Sequence, residues 1–271
     1  MNVTMIENAV NGLAYFLHAG LQQNLEPIRL ARVGYALLTS GCSIKGTFPG
    51  DSLSSYLAKA QREDGGWADV EETLWCLGYL AAFGEKYCTE VANGREWLTS
   101  VQLPCGAWGK SSRDQPRIPV TALTAILAQE TVGSAALTWL AQQWEADLGS
   151  PTQLTYKGAF FLLAHAYSHV SSDNDLVNRT ITYLKNEQEE DGGFSPWKGH
   201  PVGSDPWSTG IALWGLSRVG ELAPRQTVER ALSWLKSKQL PNGLWPYHYL
   251  DDGTAIALIG AASVLRSIGE K

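Results

Sequence analysis

Two kinds of apolar segment alternate along the chain. Segments of the first kind keep charged residues on one face, as in residues 227–238, TVERALSWLKSK, and this pattern predicts amphipathic helices. Segments of the second kind carry almost no charge and are rich in Ala, Leu and Gly, as in TALTAILAQ from residue 121 and STGIALWGLS from residue 208. A helix that is apolar on most of its faces is buried. The alternation therefore predicts amphipathic outer helices around buried inner helices.

A sequence signature marks the end of the amphipathic segments. An aromatic residue is followed by Leu, three variable residues and Gln, at intervals of roughly forty to fifty residues, which suit a helical-pair repeat. In a fifth copy Trp144 takes the place of the glutamine, and Gln22 or Gln23 begins the series. The clear copies end at Gln61, Gln102, Gln188 and Gln239.

A glycine-rich turn that closes on an aromatic residue follows each clear copy. A threonine then opens the next apolar segment, and the two remaining apolar segments begin near Arg29 and Tyr156. An open solenoid would leave a polar stripe on its second helices, and these helices have none. The sequence therefore predicts an all-α fold, an (α/α)6 barrel or toroid of six helical-pair repeats, with residues 1–271 in a single domain. The turn aromatics are Trp67, Trp108, Phe194 and Trp245, and the threonines are Thr73, Thr121, Thr209 and Thr254.

Composition narrows the range of partners. The formal net charge is −6, the pI is near 5.4 and no basic block is present, which argues against nucleic acid and against electrostatic membrane binding. Peripheral contact of an apolar patch with lipid stays open. The longest apolar stretch, near 158–166, is too short to span a bilayer, and the first residues lack the pattern of a signal peptide. Four cysteines without metal-ligand spacing indicate free thiols, so a cytoplasmic location is expected.

The repeats resemble the QW repeats of the squalene-hopene cyclase, oxidosqualene cyclase and protein prenyltransferase β-subunit superfamily. The best matches are QREDGGWADVEET from residue 61, QEEDGGFSPW from 188 and QLPNGLWPYHYLDDGTAIALIGA from 239. Buried amides satisfy helix ends, so the repeat glutamines are expected to tie helices to turns. Triterpene cyclases of the superfamily have two barrels, whereas this chain is long enough for one. A partner chain that supplies a second barrel, or a homo-oligomer, therefore stays open.

Acidic residues precede several of the predicted inner helices. If these helices run parallel, their N-termini share one mouth of the barrel, and the acids Asp69, Asp205 and Asp251 converge there with Arg117. Carboxylates around a basic residue at a cavity mouth are typical of a functional site. Helix capping is the alternative for each of them, since acids favour helix N-termini.

Two segments resemble the Asp-x-Asp-Asp-Thr-Ala acid motif of protonation-initiated (class II) terpene cyclases. DVEETL at 69–74 departs from it by two glutamates and a leucine, and LDDGTA at 250–255 is a second partial match. In that family the middle acid donates the proton, and a histidine often supports it. The resemblance therefore implies as catalytic candidates Glu71, Asp69, Glu72, Asp252, Asp251 and His248.

Carbocation chemistry also requires a water-poor cavity with aromatic walls, because ring faces stabilise cations without quenching them. Many aromatic residues lie on the predicted inner helices or at their mouths, and only three or four of them are expected in the cavity lining. The candidates for substrate binding are Trp75, Tyr79, Trp108, Arg117, Tyr156, Phe160, Trp207, Trp214, Trp245 and Tyr247.

Other activities of related barrels fit the sequence less well. A zinc prenyltransferase needs a His before the Thr of one inner helix, where this chain has Ser208 before Thr209, and no Asp-Asp-x-x-Asp motif or Gly-Cys-Gly-Glu-Gln loop is present. The sequence favours acid-initiated cyclisation of a hydrophobic polyene or prenyl-bearing small molecule. No metal or other cofactor is required, and Mg2+ enters only with a diphosphate-bearing substrate. A carbohydrate-active (α/α)6 enzyme with paired carboxylates and a non-catalytic lipid- or partner-binding toroid remain as alternatives.

Overall fold

Twelve α-helices alternate between an outer and an inner layer in the part of the chain that the structure describes. The structure is a computed structural model, and it describes residues 2–42, 48–167 and 174–269. The outer helices are α1 (Asn2–Gln22), α3 (Gly50–Ala60), α5 (Cys88–Ser100), α7 (Ser134–Asp147), α9 (Asn174–Glu187) and α11 (Arg225–Lys238). The inner helices are α2 (Pro27–Thr39), α4 (Val70–Leu80), α6 (Ile118–Leu127), α8 (Thr155–Tyr167), α10 (Pro206–Leu216) and α12 (Leu250–Gly269).

The inner helices close into a ring. Each packs against the next in the order α2, α4, α6, α8, α10 and α12, and α12 packs against α2. Each outer helix packs against the inner helix that precedes it around the ring, and α1 also contacts α11 and α3, so the outer layer continues from the last repeat to the first. The predicted all-α toroid of six helical pairs is confirmed. Short 3-10 segments at Ala81–Tyr87, Gln129–Thr131 and Gly220–Leu222 lie between the pairs.

Small residues let neighbouring inner helices approach closely. A Cβ atom on Gly210 of α10 would lie 2.6 Å from the Cα atom of Ala257 in α12, which is closer than side chains tolerate. Glycine in a helix interior costs about 1 kcal/mol relative to alanine, so its presence here reflects this backbone approach. The Ala- and Gly-rich composition of the inner helices therefore sets the spacing of the ring.

The repeat glutamines join successive repeats. Nε2 of Gln61 donates to the carbonyl oxygens of Gly65 in the following turn and Glu90 at the start of α5, both at 2.8 Å. Gln239 donates in the same way to its own turn and to the carbonyl of Met5 in α1, at 2.9 Å. The predicted role of these glutamines as ties between helices and turns is confirmed, and the last repeat is tied to the first.

Each turn tryptophan is held by two hydrogen bonds, one from its indole N–H and one from its backbone N–H. The indole Nε1 of Trp67 donates to the carbonyl of Leu57 at 3.0 Å, and its backbone N–H donates to Oγ1 of Thr73 at 2.9 Å. The turns of Trp108 and Trp245 repeat this arrangement. Each inner helix with such a threonine therefore begins at a fixed position against its outer partner. None of the helices described has the length and apolarity needed to cross a bilayer.

Candidate functional site

All six inner helices contribute side chains to one central cavity, which therefore lies on the axis of the ring. Its volume is about 180 Å³. Most of its lining residues lie in the first two turns of their helices, so the cavity is near the N-terminal ends of the inner helices, as predicted. Its walls are formed by Arg32 of α2, Glu71 and Trp75 of α4, Pro119, Val120 and Leu123 of α6, Phe160 of α8, Trp207 of α10 and Ile256 of α12, with Lys110 and Arg117 beside α6.

The two adjacent glutamates at the start of α4 have different surroundings. Successive residues of a helix point about 100° apart, so only one of them faces the axis. Glu71 lines the central cavity, and its Oε2 lies 3.6 Å from Nζ of Lys110. Glu72 is buried and accepts hydrogen bonds from the backbone N–H groups of Ala68 at 2.9 Å and Ile28 at 3.2 Å. Its carboxylate thus satisfies free N–H groups at the start of both α4 and α2.

Asp69 is the N-cap residue of α4. Its Oδ1 accepts the backbone N–H of Glu72 at 2.8 Å, a common arrangement for an aspartate at a helix start. The structure thus assigns Asp69 and Glu72 capping contacts and places them outside the lining of the central cavity. A catalytic role for these two acids stays a prediction.

Two ion pairs join the first and last inner helices beside the cavity. Nη1 of Arg32 lies 2.5 Å from Oδ1 of Asp252, and the guanidinium of Arg29 makes two hydrogen bonds to Asp251, at 2.6 and 3.0 Å. Asp251 is only 1% exposed, so this pairing compensates a buried charge. The carboxylates predicted in the second partial motif are therefore paired with arginines of α2, and Asp252 is the one next to the cavity wall.

The pKa of Asp252 is raised above the ordinary aspartate value. Burial is the main cause, the nearby charge of Glu71 adds to it, and the guanidinium of Arg32 opposes it. Glu71 and Arg32, the ion-pair partner of Asp252, line the same cavity. The two halves of the predicted acid site come together at one end of the ring.

Tyr247, His248 and Asp205 line a second pocket of about 450 Å³ between the last two repeats. His248 is exposed, and its charge is one of the smaller influences on the pKa of Asp252, which it lowers. Asp205 caps α10 by accepting the backbone N–H and the hydroxyl of Ser208, both at 2.7 Å, and burial raises its pKa. These three residues are thus separate from the lining of the central cavity.

The aromatic candidates divide into two groups. Trp75, Phe160 and Trp207 line the cavity, and Tyr156 packs edge-on against Trp207 with ring centroids 5.9 Å apart. Apart from Tyr247, which lines the second pocket, the other candidates are buried in the helix packing, where Tyr79 donates to the carbonyl of Gly50. A substrate-binding role for this second group stays a prediction: Tyr79, Trp108, Trp214 and Trp245.

Sequence reasoning missed Arg32 and Lys110. Arg32 is 9% exposed, lies in the middle of α2 and has its guanidinium carbon 5.8 Å from the ring centroid of Trp75. An available signal was the presence of two arginines, Arg29 and Arg32, in an otherwise apolar inner-helix segment, PIRLARVGYALLT. Lys110 follows the turn of Trp108, and nothing in its sequence context distinguishes it from a solvated surface lysine.

Part of the chain matches a known family model. Residues 151–253 match the family model of the squalene-hopene cyclase C-terminal domain. A squalene-hopene cyclase of Zymomonas mobilis is 26% identical over 244 residues, which cover 70% of this chain and 37% of that protein. A drimenyl diphosphate synthase of Streptomyces showdoensis is 24% identical over 221 residues, which cover 70% of this chain and 40% of that protein. The chain thus spans about two fifths of the length of these curated relatives.

A solved structure matches over almost the whole chain. The type II terpene cyclase MstE from Scytonema, in complex with geranylgeranyl dihydroxybenzoate, superposes with a TM-score of 0.76 at 17% identity, over 98% of this chain and 99% of that one. The described helices thus have the toroid fold of a type II terpene cyclase. The resemblance to the squalene-hopene cyclase superfamily, predicted from the repeats, is confirmed by these matches.

Proposed function

We propose that this chain is a terpene cyclase-like enzyme of the class II type, which closes rings in a polyene or prenyl-bearing small molecule after protonating it. One observation carries the proposal: Glu71 lines a cavity that has Trp75, Phe160 and Trp207 in its walls. Such a cavity combines an acid with the aromatic faces that a carbocation needs.

In the proposed reaction the protonated carboxyl group of Glu71 transfers its proton to one carbon of a terminal double bond. The new C–H bond takes the π electrons, and the adjacent carbon becomes cationic. The next double bond attacks that cation and closes a ring, and the faces of Trp75, Phe160 and Trp207 stabilise the charge without adding a nucleophile. Water takes a proton from the final cation, which regenerates an alkene, and the Glu71 carboxylate regains a proton from solvent, so the product is an isomer of the substrate.

Glu71 ranks before Asp252 as the proton donor because Glu71 lines the cavity and its contact with Lys110 is loose, at 3.6 Å, whereas Arg32 binds Oδ1 of Asp252 at 2.5 Å. Asp252 still contributes to the acid site, because burial raises its pKa and its partner Arg32 lines the same cavity as Glu71. The sequence of protonation and ring closure uses only protein carboxyl groups, and Mg2+ would enter with a diphosphate-bearing substrate.

The length over which this chain matches a single-barrel protein is compatible with the proposal. The Scytonema protein, described as a type II terpene cyclase, aligns over 99% of its own chain with 98% of this one. This match supports the view that one barrel is sufficient for the chemistry, even though the curated relatives are longer. The apolar walls, including Leu123 and Ile256, also favour a polyene over a sugar, since sugar sites present more polar groups.

Product analysis by mass spectrometry tests the proposal. Purified protein is incubated with linear polyprenyl hydrocarbons, alcohols and diphosphates, with and without chelator. We expect a cyclised isomer that survives chelation and that falls by about 10²–10⁴-fold in Glu71→Gln, the usual range for loss of a general acid. Glu63→Gln, in an exposed turn, is the matched control and should keep wild-type activity. Unchanged substrate across the panel would contradict the proposal and favour a binding toroid or a sugar enzyme.

A further inference from the structure

Two buried N–H groups in the wall of the central cavity have no hydrogen-bond partner among the residues that the structure describes. They are Nε of Arg32 and Nε1 of Trp75. Both residues line the cavity, Arg32 is 9% exposed and Trp75 is 2% exposed. The guanidinium carbon of Arg32 lies 5.8 Å from the ring centroid of Trp75, so the two donors belong to one part of the wall, where α2 and α4 meet.

Trp75 differs in this respect from the structural tryptophans. The indole N–H groups of Trp67, Trp108 and Trp245 each donate to a backbone carbonyl, at 3.0, 2.8 and 2.7 Å. That of Trp144 donates to Oγ1 of Thr180 at 2.7 Å. Buried donors are paired in the great majority of cases, and an exception in a cavity wall indicates a functional role.

The position of the Arg32 guanidinium is fixed by its ion pair. Nη1 is held by Asp252 at 2.5 Å, and the planar group cannot turn Nε toward another protein acceptor without breaking that contact. The ion pair that fixes the side chain therefore leaves Nε without a protein acceptor. A buried donor held in place without a partner is suited to a ligand that brings its own acceptor.

We propose that Arg32 and Trp75 bind an oxygen atom of the substrate, so that the substrate is an oxygenated prenyl compound and not a pure hydrocarbon. This inference rests on the proposed function in taking the central cavity as the substrate site. The ligand has to supply an oxygen atom that accepts a hydrogen bond. A hydroxyl group and a diphosphate ester both have such an atom.

The order of the helices orients such a substrate. In the ring α2 lies opposite α8, and α4 lies opposite α10. The oxygen group therefore lies at the wall of Arg32 and Trp75, and the hydrocarbon chain extends toward Phe160 and Trp207 on the opposite wall. Because Glu71 lies on α4 as well, the chain has to fold back within the cavity to bring its terminal double bond to Glu71. A site built to donate to an oxygen rejects a ligand that lacks one, because its buried donors then stay unpaired.

Indole NMR tests the hydrogen bond directly. The protein has 11 tryptophans, and with 15N-labelled indoles the signal that is missing from Trp75→Phe identifies the Nε1–H of Trp75. Farnesol, farnesyl diphosphate and farnesene are the probes. We expect this signal to move downfield with farnesol or with farnesyl diphosphate, and the stronger response identifies the oxygen group. Farnesene should leave it in place. A signal that does not move with either oxygenated probe, up to the solubility limit, would overturn the inference.

Affinity measurements give a second readout. We expect the wild-type protein to bind the better oxygenated probe at least about 10-fold more tightly than farnesene, and Trp75→Phe to lose roughly 5- to 30-fold of that selectivity. Trp207→Phe removes an indole from the opposite wall and should weaken both probes alike, which leaves the ratio unchanged. Equal loss of selectivity in the two variants would contradict the inference.

These measurements do not depend on turnover. Suppose that the signal moves and that Trp75→Phe lowers the selectivity, but no cyclised product forms from any substrate. The proposed cyclase function then fails and the oxygen site stands. If a pure hydrocarbon is cyclised and the signal does not respond to the oxygenated probes, the oxygen site fails and the cyclase function stands. Arg32→Lys retains the charge beside Asp252 and removes Nε, and it should lower the selectivity in the same direction as Trp75→Phe.

Discussion

Nη1 of Arg32 lies 2.5 Å from Oδ1 of Asp252, so an ion pair joins the first and last inner helices at the wall of the central cavity. Arg29 and Asp251 form a second pair beside it. The toroid is closed at this point by α12 packing on α2. The residues that close the ring therefore also shape the acid end of the proposed active site.

Removing one member of this pair should destabilise the protein. In Asp252→Asn the Arg32 guanidinium stays buried without its counter-charge, and we expect the free energy of unfolding to fall by roughly 3 kcal/mol. Asp51→Asn is the control, because Asp51 pairs with Lys86 on the exposed surface and such pairs contribute about 0–1 kcal/mol. Urea unfolding measures both. Equal, small losses in the two variants would show that Arg32 does not need Asp252.

The fold could be predicted from the sequence because short sequence patterns mark the helix ends and turns of each repeat. Gln61 and Gln239 follow directly on the ends of α3 and α11, and Thr73 and Thr254 lie in the first turns of α4 and α12. Turn chemistry and capping act over a few residues, so a single sequence contains them. Closure into a ring followed from the lack of a polar face on the inner helices.

The site could be predicted only in part, because a helix that is apolar all round does not show which face points to the axis. Trp75 and Trp214 both lie in apolar inner-helix segments, yet Trp75 lines the cavity and Trp214 is buried in the helix packing. Arg32 lies in the first inner helix, whose repeat lacks a clear glycine-rich turn, so its register was not fixed. Glu71 was found because the acid motif fixes its register relative to the helix start.

Two acids that precede inner helices, Asp205 and Asp114, should affect stability in opposite directions with pH. Burial raises the pKa of Asp205, so the folded state holds this proton more tightly than the unfolded state. The contribution of Asp205 is therefore fully present below the ordinary aspartate pKa and is lost as the pH rises through the raised value. The unfolding free energy of the wild type minus that of Asp205→Asn should accordingly decrease as the pH rises above about 4.

Asp114 provides the opposite sign as a control. Its hydrogen bond from Arg117 lowers its pKa, so its contribution is present above the ordinary aspartate pKa and is lost as the pH falls. The unfolding free energy of the wild type minus that of Asp114→Asn should therefore increase as the pH rises. Urea unfolding of the three proteins at a series of pH values measures both slopes. Slopes of the same sign would contradict the assignment.

The same substitution should have different effects at two tryptophans. Trp245→Phe removes a buried N–H that donates to the carbonyl of Leu235 at 2.7 Å, and we expect a loss of about 1–3 kcal/mol in stability with little change in ligand affinity. Trp207→Phe removes part of the cavity wall, and we expect weaker binding of farnesol with a smaller loss of stability. Urea unfolding and ligand titration on both variants measure the two quantities. A larger effect of Trp245→Phe on affinity would place Trp245 in the site.

Turnover in D2O tests the central claim most directly. Acid initiation puts a solvent-derived hydrogen from Glu71 onto the substrate carbon, so the cyclised product formed in D2O should carry a deuterium that the substrate did not have. Mass spectrometry detects it, and Glu71→Gln should abolish the labelled product while Glu63→Gln retains it. A cyclised product that forms in D2O without deuterium would contradict protonation as the first step.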